Sequence, residues 1–274
     1  MWCHAVLVVW CVAACVNWGC ESNEEALHDS GARIVSLSPA MTSMAVGVGL
    51  GDVLVGRSAY CQNVDHLPVA GDLEHINAEM LVRLRPTHVM VQRSSGDVDQ
   101  RLVDLANQYQ WTIVAQPLRD LRDVDELLTR LPSIDDRADI DMACRQQRGA
   151  MDAALQPTPT PSGTRVLLVS GGPTPLAWGG ETYLGELLAA AGGVNVLPDA
   201  LWQSVSMEDI ARLGPDLLVV IGPSGMDDEH WPSSCRRVAA LSHPDLDIPG
   251  PHVVTIRKDL DQLLKSPSTY TEAP

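Results

Sequence analysis

The sequence predicts an α/β protein: two similar Rossmann-like lobes, a helical connector between them and a ligand cleft where they meet. Three observations carry the prediction. Apolar strand-like runs alternate with helix-like stretches, two pairs of segments repeat in the same order, and the strand signal vanishes from Asp123 to Leu155. With 274 residues, 45% hydrophobic and 20% charged, the chain has material for one large core or two modest ones. Nineteen Lys plus Arg stand against 35 Asp plus Glu, a formal charge of −16. That balance, without a basic stripe, argues against nucleic acid as a partner.

The first nineteen residues, MWCHAVLVVWCVAACVNWG, contain no Asp, Glu, Lys or Arg, and the acidic ESNEE follows. Residues 1–20 therefore read as a secretory leader or N-terminal anchor, and 21–32 as a tether. Cys15 follows the small residues Ala13 and Ala14, while Cys20 stands at the charge boundary, so Cys20 or Cys15 is the lipidation candidate that would hold the domain at a membrane surface. Cys61, Cys144 and Cys235 are widely spaced and odd in number, which gives no disulfide framework and leaves any single bridge unassigned.

The N-terminal lobe spans 33–122, with strands expected at Arg33 to Leu37, His88 to Gln92 and Trp111 to Gln116. After the first, Ser38 and Pro39 turn the chain into a helix. There is no GxxxxGK[ST], GxGxxG or GxSxG, so the turn is neither a phosphate loop nor a nucleophile elbow, and Ser38 or Thr42 reads as a helix cap beside the cleft. Residues 123–156 read as a short helix and a longer one, broken at Leu131-Pro132-Ser133. PTPTPSG, residues 157–163, reads as a stiff linker. The C-terminal lobe, 164–274, has strands expected at Arg165 to Ser170, Asp216 to Ile221 and His252 to Ile256.

NAEMLVRLRPTHVMV, from Asn77, aligns without gaps on SMEDIARLGPDLLVV, from Ser206, and RIVSLS at Arg33 aligns on RVLLVS at Arg165. Two matches in one order favour paired lobes. Ligands of such folds sit at the carboxyl ends of the strands, which places Ser36 to Thr42 beside Ser170 to Gly180. Aromatic residues are only 4% of the chain, yet Tyr60, Trp178, Trp202 and Trp231 fall in expected loops near that edge. Each alone is equally a core plug; together they suggest a cleft for a large flat ligand. Glu79 and Glu208 occupy one repeated position, two residues after the caps Asn77 and Ser206. Helix-dipole complementarity accounts for each, and their symmetry also suggests matched negative points for a basic partner. The histidines are scattered without HExxH, so no metal site is expected. The expected cleft loops hold Ser, Thr, Gly and aromatics rather than an acid/base pair or a basic cluster. No catalytic residue is expected, and an enzyme on a two-lobe scaffold ranks below a binder.

RIVSLSPAMTSMAVGVGLGDVLVGRSAYC, LPVAGDLEHINAEMLVRLRPTHVMVQ, RVLLVSGGPTPLAWGGETYLGELLAAAGGVNVL and WQSVSMEDIARLGPDLLVVIGP, in that order, resemble the periplasmic substrate-binding proteins of ABC importers for cobalamin, ferric siderophores and haem. The resemblance runs from about Arg33 to Gly222. It implies two lobes joined by a long rigid helix, a monomer that binds without catalysis or cofactor, and a metal-containing chelate as ligand. It also implies an ABC permease as partner, with Glu79 and Glu208 as its docking points, and a periplasmic or cell-surface, membrane-anchored location. The cobalamin-binding branch is most similar: Tyr60 and Trp202 match its contact aromatics, and Trp231 is set against a third. Ser38 and Pro39 match the family's Ser-Pro turn. Leu73, Gln92 and Leu176 stand where that branch has aromatic residues, so the pocket is expected to be less aromatic. A ferric siderophore or haem is the alternative ligand, and a degenerate surface module the alternative role. The family's final helix is expected to be short or missing.

Overall fold

The computed structural model describes residues 31–266 apart from 73, 173, 223–230, 244, 245, 247, 248 and 251. The leader with Cys15 and Cys20, and also Leu73, lie outside the described residues. The first lobe runs β1 (Ile34–Ser36), α1 (Pro39–Gly47), β2 (Leu54–Ser58), β3 (Val69–Gly71), α2 (Ala78–Leu84), β4 (His88–Val91), α3 (Gln100–Tyr109) and β5 (Thr112–Ala115). Its sheet has the order β3-β2-β1-β4-β5, with every ladder parallel. A parallel sheet must be covered on both faces. Ile34, Met90 and Val114 face one apolar cluster, while Val35, Val89 and Val91 face a second under α2 and α3.

The chain then enters α4 (Leu121–Arg130), a 3-10 turn at Leu131–Ser133 and α5 (Ala138–Ala154). The helix break thus falls at the expected Leu-Pro-Ser. The 17 residues of α5 extend about 25 Å at ~1.5 Å per residue. Two arginines fasten this connector. Arg137 pairs with Asp52 at 2.9 and 3.0 Å and with buried Asp135 at 3.1 Å, and Arg148 pairs with Asp125 of α4 at 2.6 and 3.1 Å.

The second lobe contains β6 (Arg165–Ser170), β7 (Leu176–Trp178), α6 (Tyr183–Ala190), β8 (Val194–Asn195), β9 (Trp202–Ser204), α7 (Met207–Leu213), β10 (Leu217–Ile221), β11 (Val238–Leu241) and α8 (Val253–Lys265). β11, β10 and β6 are parallel, β8 runs parallel to β6, and β7 and β9 add antiparallel. One continuous apolar cluster joins the lobes: Met41 and Met44 of α1, Leu127 of α4, Ile140 of α5, Leu168 and Val219 of the second sheet, and Ile256 of α8.

The repeats fold into one device used twice. Asn77 and Ser206 cap α2 and α7 with their side chains, and both helices end on a left-handed residue, Arg85 and Gly214. Arg33, just before β1, donates to the carbonyls of Leu84 and Arg85, and Arg165 of β6 donates to those of Leu213 and Gly214. Even the next bond repeats, from Arg33 N to Thr87 Oγ1 and from Arg165 N to Asp216 Oδ2. Each guanidinium therefore satisfies orphan carbonyls at the negative end of a helix while starting a central strand.

Two expectations are corrected. His252 to Ile256 is not a strand but the entry into α8, while the place after Lys265 where the terminal helix was expected to be short or missing falls on residues 267–274, outside the described residues. The β-branched run Val253-Val254-Thr255-Ile256 imitates a strand over a few residues. Over a longer window Val253, Ile256, Leu260 and Leu264 are buried at helical spacing. Arg257 locks α8 in place, donating to Ala154 O at 2.7 Å and Ala190 O at 2.8 Å, the last residues of α5 and α6. The second correction concerns Trp178 and Trp202, which lie on short paired strands rather than in loops.

Candidate functional site

In the first lobe the residues that follow β1, β2, β4 and β5 emerge at a single edge, because all the strands are parallel. Ser38 sits there fully buried. Its Oγ accepts from Met41 N at 3.3 Å as the cap of α1 and donates to Gln92 Oε1 at 2.7 Å, while Pro39 takes the first helical position. Thr42 Oγ1 spends its one hydrogen on Ser38 O, so the buried thiol of Cys61, 3.0 Å away, is the donor to Thr42. That bond anchors the turn after β2, on which Tyr60 stands 69% exposed.

In the second lobe Trp202 lies directly opposite Trp178 across the β7/β9 ladder. The rings meet edge to face, with centroids 5.7 Å apart at 77°. Trp178 is 5% exposed and Trp202 39%. The buried ring is held from behind: Trp178 Nε1 donates to Ser170 Oγ at 2.9 Å, and Tyr183 meets it edge-on at 5.9 Å. Leu176 and Ser204 continue the same exposed row. Trp231 is not brought to this pair; it packs against the cluster on the other face of the sheet, with Ile210 and Val220. Gly179 and Gly180 lie against the backbone carbonyls of Ala200 and Pro198, which leaves no room for a side chain. Their close approach is to their own chain.

A cavity of about 700 Å³ opens beyond β5, between Ser94, Gln116 and the first turns of α4. Sequence reasoning missed it, because its polar residues are spread along a helix that was read as connector. It is lined by Asp120, Asp123, Asp125 and Glu126 and by three arginines, Arg119, Arg122 and Arg130. Each is already engaged: Arg119 with Asp123 at 3.0 Å, Arg122 with Glu126 at 3.2 Å, and Arg130 with Ala115 O at 2.8 Å. The second lobe reaches this corner too. Glu186 of α6 accepts from Leu121 N at 2.8 Å, and Tyr183 N donates to Arg119 O. Burial, together with the nearby Asp120 and Asp123, pushes the Glu186 carboxyl above its ordinary value.

Glu79 and Glu208 both stand exposed in the first turn of their helices. Neither makes a hydrogen bond or ion pair among the described residues. Asp209 beside Glu208 is consumed by the capping box with Ser206 and by Arg212. Among the described residues no group of three or more His, Cys, Asp or Glu is arranged to hold a metal ion, and no helix is long and apolar enough to cross a membrane. Cys61 and Cys144 are buried free thiols, and burial pushes the Cys144 pKa up to about 11.

Comparison with known proteins agrees with this architecture. A vitamin B12-binding protein of Photorhabdus laumondii is 25% identical over 256 residues, covering 89% of this chain and 91% of the relative. One from Yersinia pestis is 28% identical over 254 residues, covering 85% and 86%. Among solved structures, the periplasmic vitamin B12 binding protein of Vibrio cholerae superposes with a TM-score of 0.69 at 20% identity, over 85% of this chain and 96% of that one. The periplasmic heme binding protein of the same organism gives 0.64 at 19%, over 86% and 99%. These likenesses support the two-lobed fold. The family described as periplasmic binding protein matches residues 34–231, from β1 to Trp231, and the chain belongs to that family of binding proteins.

Proposed function

We propose that the protein is an exported substrate-binding component that captures a corrinoid-like ligand in the cleft and delivers it to an ABC permease. The observation that carries this reading is the Trp178–Trp202 pair, in which a buried, hydrogen-bonded indole presents a second indole to solvent at 39% exposure. An aromatic face fixed in advance is suited to a broad flat ligand, since little side-chain entropy is lost on binding. Tyr60 supplies a second exposed ring on the first lobe, with Ser38 and Pro39 shaping the floor. The relatives named vitamin B12-binding protein support a corrinoid. Haem or a ferric siderophore is the second reading, favoured by the arginines of the cavity; their pairing with acids and carbonyls ranks it lower. Cys20 or Cys15 would tether the domain to the membrane, and Glu79 and Glu208 would meet basic residues of the permease.

The test is titration of the purified protein with cyanocobalamin, followed by tryptophan fluorescence. A specific aromatic contact contributes about 0.5–1.5 kcal/mol beyond buried area. Tyr60→Ala with Trp202→Ala should therefore weaken binding about tenfold or more, and an unchanged dissociation constant would remove these residues from the site.

A further inference from the structure

Arg57, next to last in β2, folds its side chain into the loop that follows, and that loop carries Tyr60. The side chain is only 13% exposed. Its Nη1 donates to Ser58 O at 3.0 Å, with Ala59 O and Cys61 O each 3.4 Å from the same nitrogen. Nε donates to Leu67 O at 3.2 Å, and Nη2 meets Asp65 Oδ1 at 3.2 Å. One planar guanidinium thus joins the two ends of the loop and its first turn, which a point charge cannot do. Other bonds close the same circuit. Arg57 N donates to Pro68 O at 3.0 Å, Cys61 N to Ser58 O at 3.3 Å and Leu67 N to Val64 O at 2.9 Å, while Tyr60 N donates to Ser58 Oγ at 3.1 Å. Cys61 and Val64 are pinned in the apolar core, whereas the Tyr60 ring between Arg57's contacts stays exposed. The result is a compact loop wrapped around one side chain, with an aromatic ring on its outside. A ring on an unrestrained loop loses backbone freedom when a ligand settles on it, and a loop ordered beforehand avoids that loss.

We infer that Arg57 is a positioning residue of the ligand site, which holds the 58–67 loop in its ligand-ready shape so that Tyr60 is presented already fixed. The inference rests on the ligand-capture reading above and adds to it a residue that acts only through Tyr60. Arg57→Lys keeps the charge but cannot span both ends of the loop, and Arg57→Gln removes the charge as well. Two measurements are made on each: amide hydrogen exchange of the ligand-free protein, and calorimetric titration with cyanocobalamin in the wild-type and Tyr60→Ala backgrounds. Both variants should speed exchange at the Tyr60, Cys61 and Leu67 amides by at least about tenfold while the β1 and β4 amides keep their wild-type rates. Cyanocobalamin binding should weaken at least about threefold, and by less than about 1.5-fold once Tyr60 is Ala, because residues acting as one unit are not additive. Unchanged loop exchange, unchanged affinity, or exchange that rises equally in the central strands overturns the inference. So does an equal loss of affinity in both backgrounds, the mark of an arginine that only stabilises the fold; all four leave ligand capture intact. Absence of saturable binding by the wild type overturns both.

Discussion

Arg257 shows how much one side chain settles in this chain. Its guanidinium joins the last carbonyls of α5 and α6, so it holds α8, the connector and the second lobe at one point. Hydrogen bonds to a charged group contribute about 1.5–3 kcal/mol. Arg257→Ala should therefore lower the unfolding free energy by about 2–3 kcal/mol in urea, and a loss below about 0.5 kcal/mol would show that the helix ends find other partners. The residues Ser38, Asn77 and Ser206 were legible as caps because capping chemistry is local. The bond from Cys61 to Thr42, the backing of Trp202 by Trp178 and the reach of Arg257 were not, since each depends on residues far apart in sequence that only the fold brings together. The packing of Trp231 was not legible for the same reason: its position after a strand points to the cleft edge, but the face it packs on is set by the sheet.

At the scale of elements, α2 and α7 are the repeated unit with the most direct functional reading. Charge reversal at both, Glu79→Arg with Glu208→Arg, should abolish stimulation of permease-coupled ATP hydrolysis in reconstituted vesicles while leaving cyanocobalamin affinity within about twofold, as expected for exposed acids outside the cleft. Normal coupling by the double variant would exclude these helices as the docking points. The α6–α4 junction gives a pH prediction. Glu186 has a folded pKa raised above its unfolded value, so the folded state holds its proton more tightly. Ionisation of Glu186 costs stability above the raised pKa, and that cost disappears as pH falls toward the unfolded value. Glu186→Gln should therefore gain in urea midpoint relative to wild type between pH 5 and pH 7. Asp72, Asp99 and Asp209, whose pKa values are lowered by hydrogen bonds, act in the opposite direction but equally in both proteins. A relative gain that shrinks or stays flat across that interval would contradict the assignment. Short strands such as β7, β9 and β11 were invisible in sequence because three or four residues with Gly or polar neighbours carry no period, and α8 was hidden by a β-branched start.

For the whole molecule, alternation and repeats were enough to anticipate two lobes and a broken helical connector. Paired central strands impose the same local requirements twice, and the sequence records both. The polar cavity was hidden because its residues sit on the outer face of a helix, where charged residues are the ordinary solvated surface. Capture of a corrinoid-like ligand between the lobes is the central claim, and calorimetric titration of the wild-type protein with cyanocobalamin tests it most directly. A single saturable site per chain is the result predicted; absence of any saturable heat, with the protein shown to be folded by its urea transition, would contradict it.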